Sequence, residues 1–482
     1  MRRAKILATL GPASDTAEII EAMLNAGLNA VRINMSHGTQ AEQAETIKLA
    51  RAVARRLDKP LAVLVDLSGP KIRTGKLKGG TAVFLETGAR FVITSRDTEG
   101  TAEEVSTNFK ELPKLVAPGA RILLDDGAIE LTVENVSETD VITRVVNGGL
   151  LAERKGINLP NTKLPIQSLT EKDRVDLEWA MQQYVDYIAL SFVRQAEDCT
   201  EVKKLIKKLN RRKVGRPLLV AKIEKAEAME NLDSIIAATD GVMVARGDLG
   251  VETSPELVPV YQKQIIEKAV LHDKFVITAT QMLQSMIISP RPTRAEASDV
   301  ANAVWDGTDA VMLSAETAAG QYPVESVATM KRIIDSAETV KTTKLKRPVK
   351  FTEEPTGRTS QALCKAAAFC AREKLTDKVA VFTESGVMAR RLSSVRSGLQ
   401  TFALTNSDDV RNQLALIWGV APLCHEDSNT TEGMLKQGEK TLLEAGAVEN
   451  GETLVMMAGR LSGLGLSSSV IVWTIGEDTP RR

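Results

Sequence analysis

Eight short apolar runs begin near Lys5, Ala30, Leu61, Tyr187, Leu218, Gly241, Phe275 and Ala310. Between them lie amphipathic helical patterns, among them residues 17–26, 43–57, 172–184, 255–271 and 325–340. Fully apolar strands alternating with helices are what a mainly parallel sheet requires, because parallel neighbours need crossover connections and both faces become covered. Eight such units specify an α/β fold of the (β/α)8 TIM-barrel kind, which takes roughly 250 residues. The chain has 482 residues, so more than one domain is needed.

The rhythm breaks once. From Pro70 to Ile166 the sequence is rich in Val, Thr, Gly and Asp, and segments 83–85, 121–124 and 140–143 read as short strands joined by turns. This reads as a small β-barrel domain, residues 70–166, inserted in a βα loop between barrel parts 1–69 and 167–340. An insertion there sits over the C-terminal face as a lid. A charged, proline-marked linker spans 341–356, and residues 357–482 form a C-terminal open α/β domain. Its expected helices are 360–375, 388–395, 408–418 and 431–445, with strands 378–383, 401–404, 454–457 and 470–474.

Composition removes several function classes. Lys plus Arg and Asp plus Glu are 62 each, so net charge gives no argument for nucleic acid or a membrane surface. Aromatic residues are 4% of the chain, too few for a stacking platform. The four cysteines form no CxxC pair and the three histidines are scattered, so any metal falls to carboxylates, as magnesium would. No apolar stretch reaches the roughly 18 residues of a membrane span. The expectation is a soluble, cytoplasmic protein with no membrane and no nucleic-acid partner.

The residues that end each barrel strand carry the chemistry. Val31 leads to Arg32, Asn34, Ser36 and His37; Val65 leads to Asp66; Ala221 leads to Lys222 and Glu224. Ala245 leads to Arg246, Gly247 and Asp248; Ile277 leads to Thr278 and Thr280; Leu313 leads to Ser314 and Glu316. Polar groups in phase at the C-terminal ends of several strands converge on the face where barrels place catalysis. Lys222 and Glu224, two apart, point the same way from a strand. Glu224 with Asp248 offers two carboxylates to a divalent ion, and Lys222 beside it suits a concentrated negative ligand such as phosphate. The plainer alternative is a structural ion pair of Lys222 with Glu224 or Asp248.

These segments resemble one family, pyruvate kinase. The matching stretches are residues 8–14 (ATLGPAS), 31–38 (VRINMSHG), 65–75 (VDLSGPKIRTG), 125–127 (DDG), 155–160 (KGINLP) and 189–193 (ALSFV). They continue with 221–227 (AKIEKAE), 243–251 (MVARGDLGV), 279–286 (ATQMLQSM), 292–300 (PTRAEASDV) and 312–317 (MLSAET). The resemblance implies phosphoryl transfer from phosphoenolpyruvate to ADP, giving pyruvate and ATP, the last step of glycolysis. It also implies a magnesium ion (or manganese in its place), a homotetramer and allosteric control. By position, Arg32 and Lys222 match the phosphoryl-contacting cations and Glu224 and Asp248 the metal ligands. Gly247, Asp248 and Thr280 match the substrate contacts, and Asn34, His37, Arg73 and Lys155 the nucleotide contacts. Thr280 and Ser314 could each carry a proton through water to the enolate, and the sequence does not choose between them. The rivals are a magnesium-dependent pyruvate or phosphoenolpyruvate lyase on a similar barrel and a catalytically silent metabolite-binding homologue. The first has no use for a nucleotide lid, and the second predicts loss of residues that are all present.

Two departures stand out. Where many members carry a glutamate after the third strand, this chain has Lys71. In those members Asn34, Ser36, Asp66 and the carbonyl at Leu67 would hold potassium; here the Lys71 ammonium could take the ion's place. A change of two charge units disfavours a second cation nearby. The expectation is that potassium is not required, although Thr74 resembles the dependent branch. In the C-terminal domain, Thr383, Ser385 and Gly386 resemble a loop that holds an effector's phosphate, with Arg460 a partner from a second loop. Val387 and Met388 come next, where members activated by fructose bisphosphate often carry hydroxyl or basic residues.

Overall fold

The structure, a computed structural model, describes residues 2–160, 162, 166–340, 355–426, 428, 430–459 and 468–477. Eight parallel strands close the central barrel: β1 (Lys5–Thr9), β2 (Ala30–Asn34), β3 (Ala62–Asp66), β4 (Tyr187–Leu190), β5 (Leu218–Ile223), β6 (Gly241–Ala245), β7 (Phe275–Ala279) and β8 (Ala310–Leu313). Each pairs with its sequence neighbours, and β1 closes on β8 with Lys5 opposite Ala310. Their near-continuous burial explains the apolar runs, since one face meets the helices and the other the barrel interior. Helix starts reflect local chemistry. Helices Gln40–Arg56, Glu171–Gln182 and Arg294–Asp306 each open with a Thr whose hydroxyl and an acidic residue three positions on form a capping box.

Between β3 and β4 the chain leaves the barrel to build a curled six-stranded sheet and a two-stranded ribbon. This lid has its own apolar core, centred on Phe91, Ile122, Leu131 and Val141. The C-terminal unit is a five-stranded sheet of β9 (Lys378–Phe382), β10 (Gln400–Thr405), β11 (Val420–Cys424), β12 (Thr453–Gly459) and β13 (Ser468–Thr474), in order β11-β10-β9-β12-β13 with β13 antiparallel. β11 is absent from the strands read from sequence. The expected linker lies outside the described residues up to position 354, and the next helix, Pro355–Cys370, begins inside it.

The C-terminal sheet packs beneath the N-terminal rim of the barrel. The Tyr187 hydroxyl donates to the Gln413 carbonyl at 2.5 Å, Lys5 Nζ to the Val420 carbonyl at 2.7 Å, and Arg396 pairs with Asp309 at 2.7 Å. That seam is structural and leaves the opposite rim to the lid. Among the described residues no helix is long and apolar enough to cross a membrane.

Candidate active site

At the C-terminal rim the strand ends assemble a buried charge cluster. The Lys222 ammonium meets Glu224 Oε1 at 2.8 Å, the Ser191 hydroxyl at 2.8 Å and Asp66 Oδ1 at 3.3 Å. Arg32 grips the other oxygen of Asp66 through Nε and a terminal nitrogen, both at 2.7 Å, and donates to Thr9 Oγ1 at 3.1 Å. Asp66 and Glu224 are each 1% exposed, so neither charge survives without these partners.

Protonation is set by the same contacts. Burial alone would lower the Lys222 ammonium, but Asp66 and Glu224 outweigh it and hold lysine well above its usual value. Burial would raise Asp66, yet Lys222 and Arg32 keep it below the ordinary carboxylate range. Glu224 is pushed up, first by burial and also by the neighbouring charge of Asp248, against the pull of Lys222. A lysine fixed as a cation between two carboxylates is a permanent charge, not a proton shuttle.

Strained backbone helps to present these groups. Phe192, Thr280 and Gln281 take left-handed conformations (φ 56°, 69° and 55°) just past β4 and β7, each costing about 1–3 kcal/mol and persisting only where neighbours enforce it. The Phe192 N–H donates to Glu224 Oε2 at 2.8 Å. Arg246 clamps the loop after β7, donating to the Thr280 carbonyl at 2.6 Å and to Asp299 at 2.7 Å. Gly69 (φ 65°) lets the loop after β3 lie against Ser191 and Phe192; a Cβ there would come within 2.6 Å of the Phe192 ring.

Two clefts open between barrel and lid. One, of about 770 Å³, is lined by Gly247, Asp248, Thr280, Ser314 and Lys71. The other, of about 260 Å³, is lined by His37, Arg73, Lys155, Lys71 and again Asp248. Asp248 therefore joins both clefts to the buried cluster. The Thr280 hydroxyl is committed, accepting the Gly247 N–H at 2.8 Å and donating to the Ala279 carbonyl at 2.7 Å. The Ser314 hydroxyl oxygen is buried and, among the described residues, has no hydrogen-bond partner. The His37 ring is kept below its usual pKa by burial and then by the charges of Lys71, Arg73 and Arg32. Lys155 pairs with Asp125 at 2.9 Å, and Arg73 donates to the Arg154 carbonyl at 3.0 Å.

The expected monovalent-cation ligands are partly engaged from within. Asn34 Oδ1 accepts the Ser36 N–H at 3.1 Å, and the Leu67 carbonyl accepts the Ser191 hydroxyl at 2.8 Å. Lys71 is exposed, and among the described residues no hydrogen bond or ion pair joins its ammonium to these groups or to Asp66. In the C-terminal domain Gly386 (φ 75°) starts the helix Val387–Ser394, Thr383 is buried, and the Ser385 carbonyl accepts from Arg390 at 3.4 Å. Arg460 lies outside the described residues. Sequence reasoning gives no role to Ser191, the Phe192 N–H or Arg246, although the first two sit in the ALSFV stretch and the third in MVARGDLGV.

The sequence pattern of the family "Pyruvate kinase, barrel domain" matches residues 1–327, and "Pyruvate kinase, alpha/beta domain" matches residues 361–472. Curated pyruvate kinases of Staphylococcus saprophyticus and Staphylococcus epidermidis are each 40% identical to this chain over 99% of its length and 81% of theirs. The crystal structure of a pyruvate kinase from Cryptosporidium parvum superimposes with a TM-score of 0.89 at 32% identity, covering 98% of this chain and 96% of that one. With sequence matches to both its barrel and its C-terminal domain, and near-full-length likeness to these relatives, the chain belongs to the pyruvate kinase family.

Proposed function

We propose that this chain transfers the phosphoryl group of phosphoenolpyruvate to ADP, giving ATP and pyruvate. The observation that carries the reading is the Lys222 ammonium, fixed as a cation between Asp66 and Glu224 and within the field of Asp248, which lines both clefts. Phosphoryl transfer needs little covalent help from the protein and much fixed positive charge around the moving group. Lys222 and Arg32 supply that charge without having to gain or lose a proton. Gly247 and Thr280 form the wall of the larger cleft that faces the carboxylate end of the substrate, while His37, Arg73 and Lys155 face the nucleotide in the smaller cleft.

Glu224 and Asp248 fit a magnesium ion. Their charges are close enough that Asp248 pushes Glu224 up, and Asp248 lines both clefts. A site of two carboxylates completed by water and substrate oxygens is the kind magnesium takes. When bound, the ion adds positive charge beside the transferred group.

As the phosphorus–oxygen bond of phosphoenolpyruvate breaks and that to ADP forms, the enolate left behind gains a proton at its methylene carbon. Ser314 has the free hydrogen-bonding capacity to hold a proton-delivering water, whereas Thr280 is committed to the backbone. Ser314→Ala is expected to slow solvent-proton exchange into the methyl group of pyruvate by about 10²-fold, with phosphoryl transfer less affected. Equal slowing of both steps would move that role away from Ser314.

Potassium independence is part of the same reading. It is supported by Lys71 at the mouth of both clefts, near enough to lower His37, and by Asp66 already neutralised by Arg32 and Lys222. Because the Lys71 ammonium bonds to none of the four expected ligands, its charge acts across the cleft and not as a seated ion. Assembly as a homotetramer and a phosphorylated activator at the Thr383–Gly386 loop also belong to this reading. Sedimentation with and without a sugar bisphosphate tests both: a monomer insensitive to the ligand would discard them.

A further inference from the structure

Glu252 is a buried carboxylate, 3% exposed, so its partners define what it does. Its Oε1 accepts Lys225 Nζ at 2.7 Å and the Asn158 side-chain amide at 2.9 Å. Lys225 belongs to the barrel and directly follows Glu224. Asn158 belongs to the lid, on the short strand Ile157–Asn158 that pairs with Arg121–Leu124, three residues after Lys155. Glu252 itself ends the helix Arg246–Glu252, whose first turn holds Gly247 and Asp248. One buried carboxylate thus ties the lid arm bearing Lys155 to the two barrel elements bearing the carboxylates of the proposed metal site. All three residues line the smaller cleft, and Gly127 at the tip of the lid faces Val251, next to Glu252.

We propose that the Asn158–Glu252–Lys225 bridge is a latch that holds the lid over the nucleotide cleft, which makes Asn158 and Glu252 positioning residues for the nucleotide. The inference rests on the kinase reading for the identity of that nucleotide. A charge-assisted bond between lid and barrel raises the fraction of molecules with the lid closed, and a ligand that needs the closed lid binds more weakly in inverse proportion to that fraction. Arg32, Lys222, Gly247 and Thr280, which face phosphoenolpyruvate, all stand on the barrel, so weakening the latch should penalise ADP far more than phosphoenolpyruvate. A merely structural role would affect both substrates.

The test compares Asn158→Ala, which removes the bond, with Asn158→Asp, which sets a second carboxylate against Glu252. The expected result is a KM for ADP raised about threefold in the first and about tenfold in the second, with KM for phosphoenolpyruvate and kcat at saturating ADP within about twofold. An unchanged KM for ADP in both variants, or parallel changes for both substrates, would overturn the latch. Hydrogen exchange of the ligand-free proteins reads the latch apart from turnover. Faster exchange in 155–160 and 246–252 together is expected for both variants, and unchanged exchange would overturn the proposal. A native chain that forms no pyruvate would instead sink the kinase reading, with the exchange result still judging the latch.

Discussion

Lys222→Met should lower kcat by about 10³-fold or more, the scale at which a fixed cation aimed at a transferring phosphoryl group acts. The fold should survive. Removing the ammonium leaves Asp66 paired with Arg32 and leaves Glu224 bonded to the Phe192 N–H. Glu224, already pushed up by burial and by Asp248, is then able to take a proton and shed the charge that Lys222 balanced. A thermal unfolding midpoint near that of the parent, together with the kinetic loss, separates a chemical role from a structural one. Near-normal turnover in a folded Lys222→Met variant would contradict the assignment of Lys222.

The second large effect is expected at Lys71. Lys71→Glu changes the charge on the lining of both clefts by two units and sets a carboxylate where the ammonium stands. Without potassium the variant should lose about 10²-fold in kcat, the loss expected when one preorganised charge near a developing anion is removed. Adding potassium should recover most of it, because Asn34, Ser36, Asp66 and the Leu67 carbonyl lie close together at the ends of β2 and β3. The measurement is kcat against potassium concentration in buffers free of sodium and ammonium. A variant as active as the parent without potassium, or one that potassium does not rescue, would discard the internal-cation argument.

The barrel is legible in the sequence because its signal is local. Strands buried on both faces read as unbroken apolar runs, and the residues just after each run fall on one rim by geometry alone. Lys222 and Glu224 can be paired from their spacing at the end of β5. The roles of Asp66 and Ser191 cannot be read that way. Asp66 reads as a ligand for a monovalent ion, yet it is also the hub between Arg32, 34 positions away, and Lys222, and contacts between separate strands leave no mark in local spacing. Arg246 is hidden likewise, since its work is to hold carbonyls of the loop after β7. β11 escapes the pattern because Val420–Cys424 is short and carries Pro422, and a proline is tolerated in a strand only at an edge such as the one it occupies. In the lid, Ile129–Val136 alternates in burial along its first half and carries a usable period-two signal.

The deciding measurement is pyruvate formation from phosphoenolpyruvate and ADP in potassium-free buffer, with magnesium present and then chelated. Turnover with magnesium is expected, together with its loss on chelation and a rate that added potassium leaves unchanged. No pyruvate from folded protein with magnesium, with or without potassium and a sugar bisphosphate, would contradict the kinase reading.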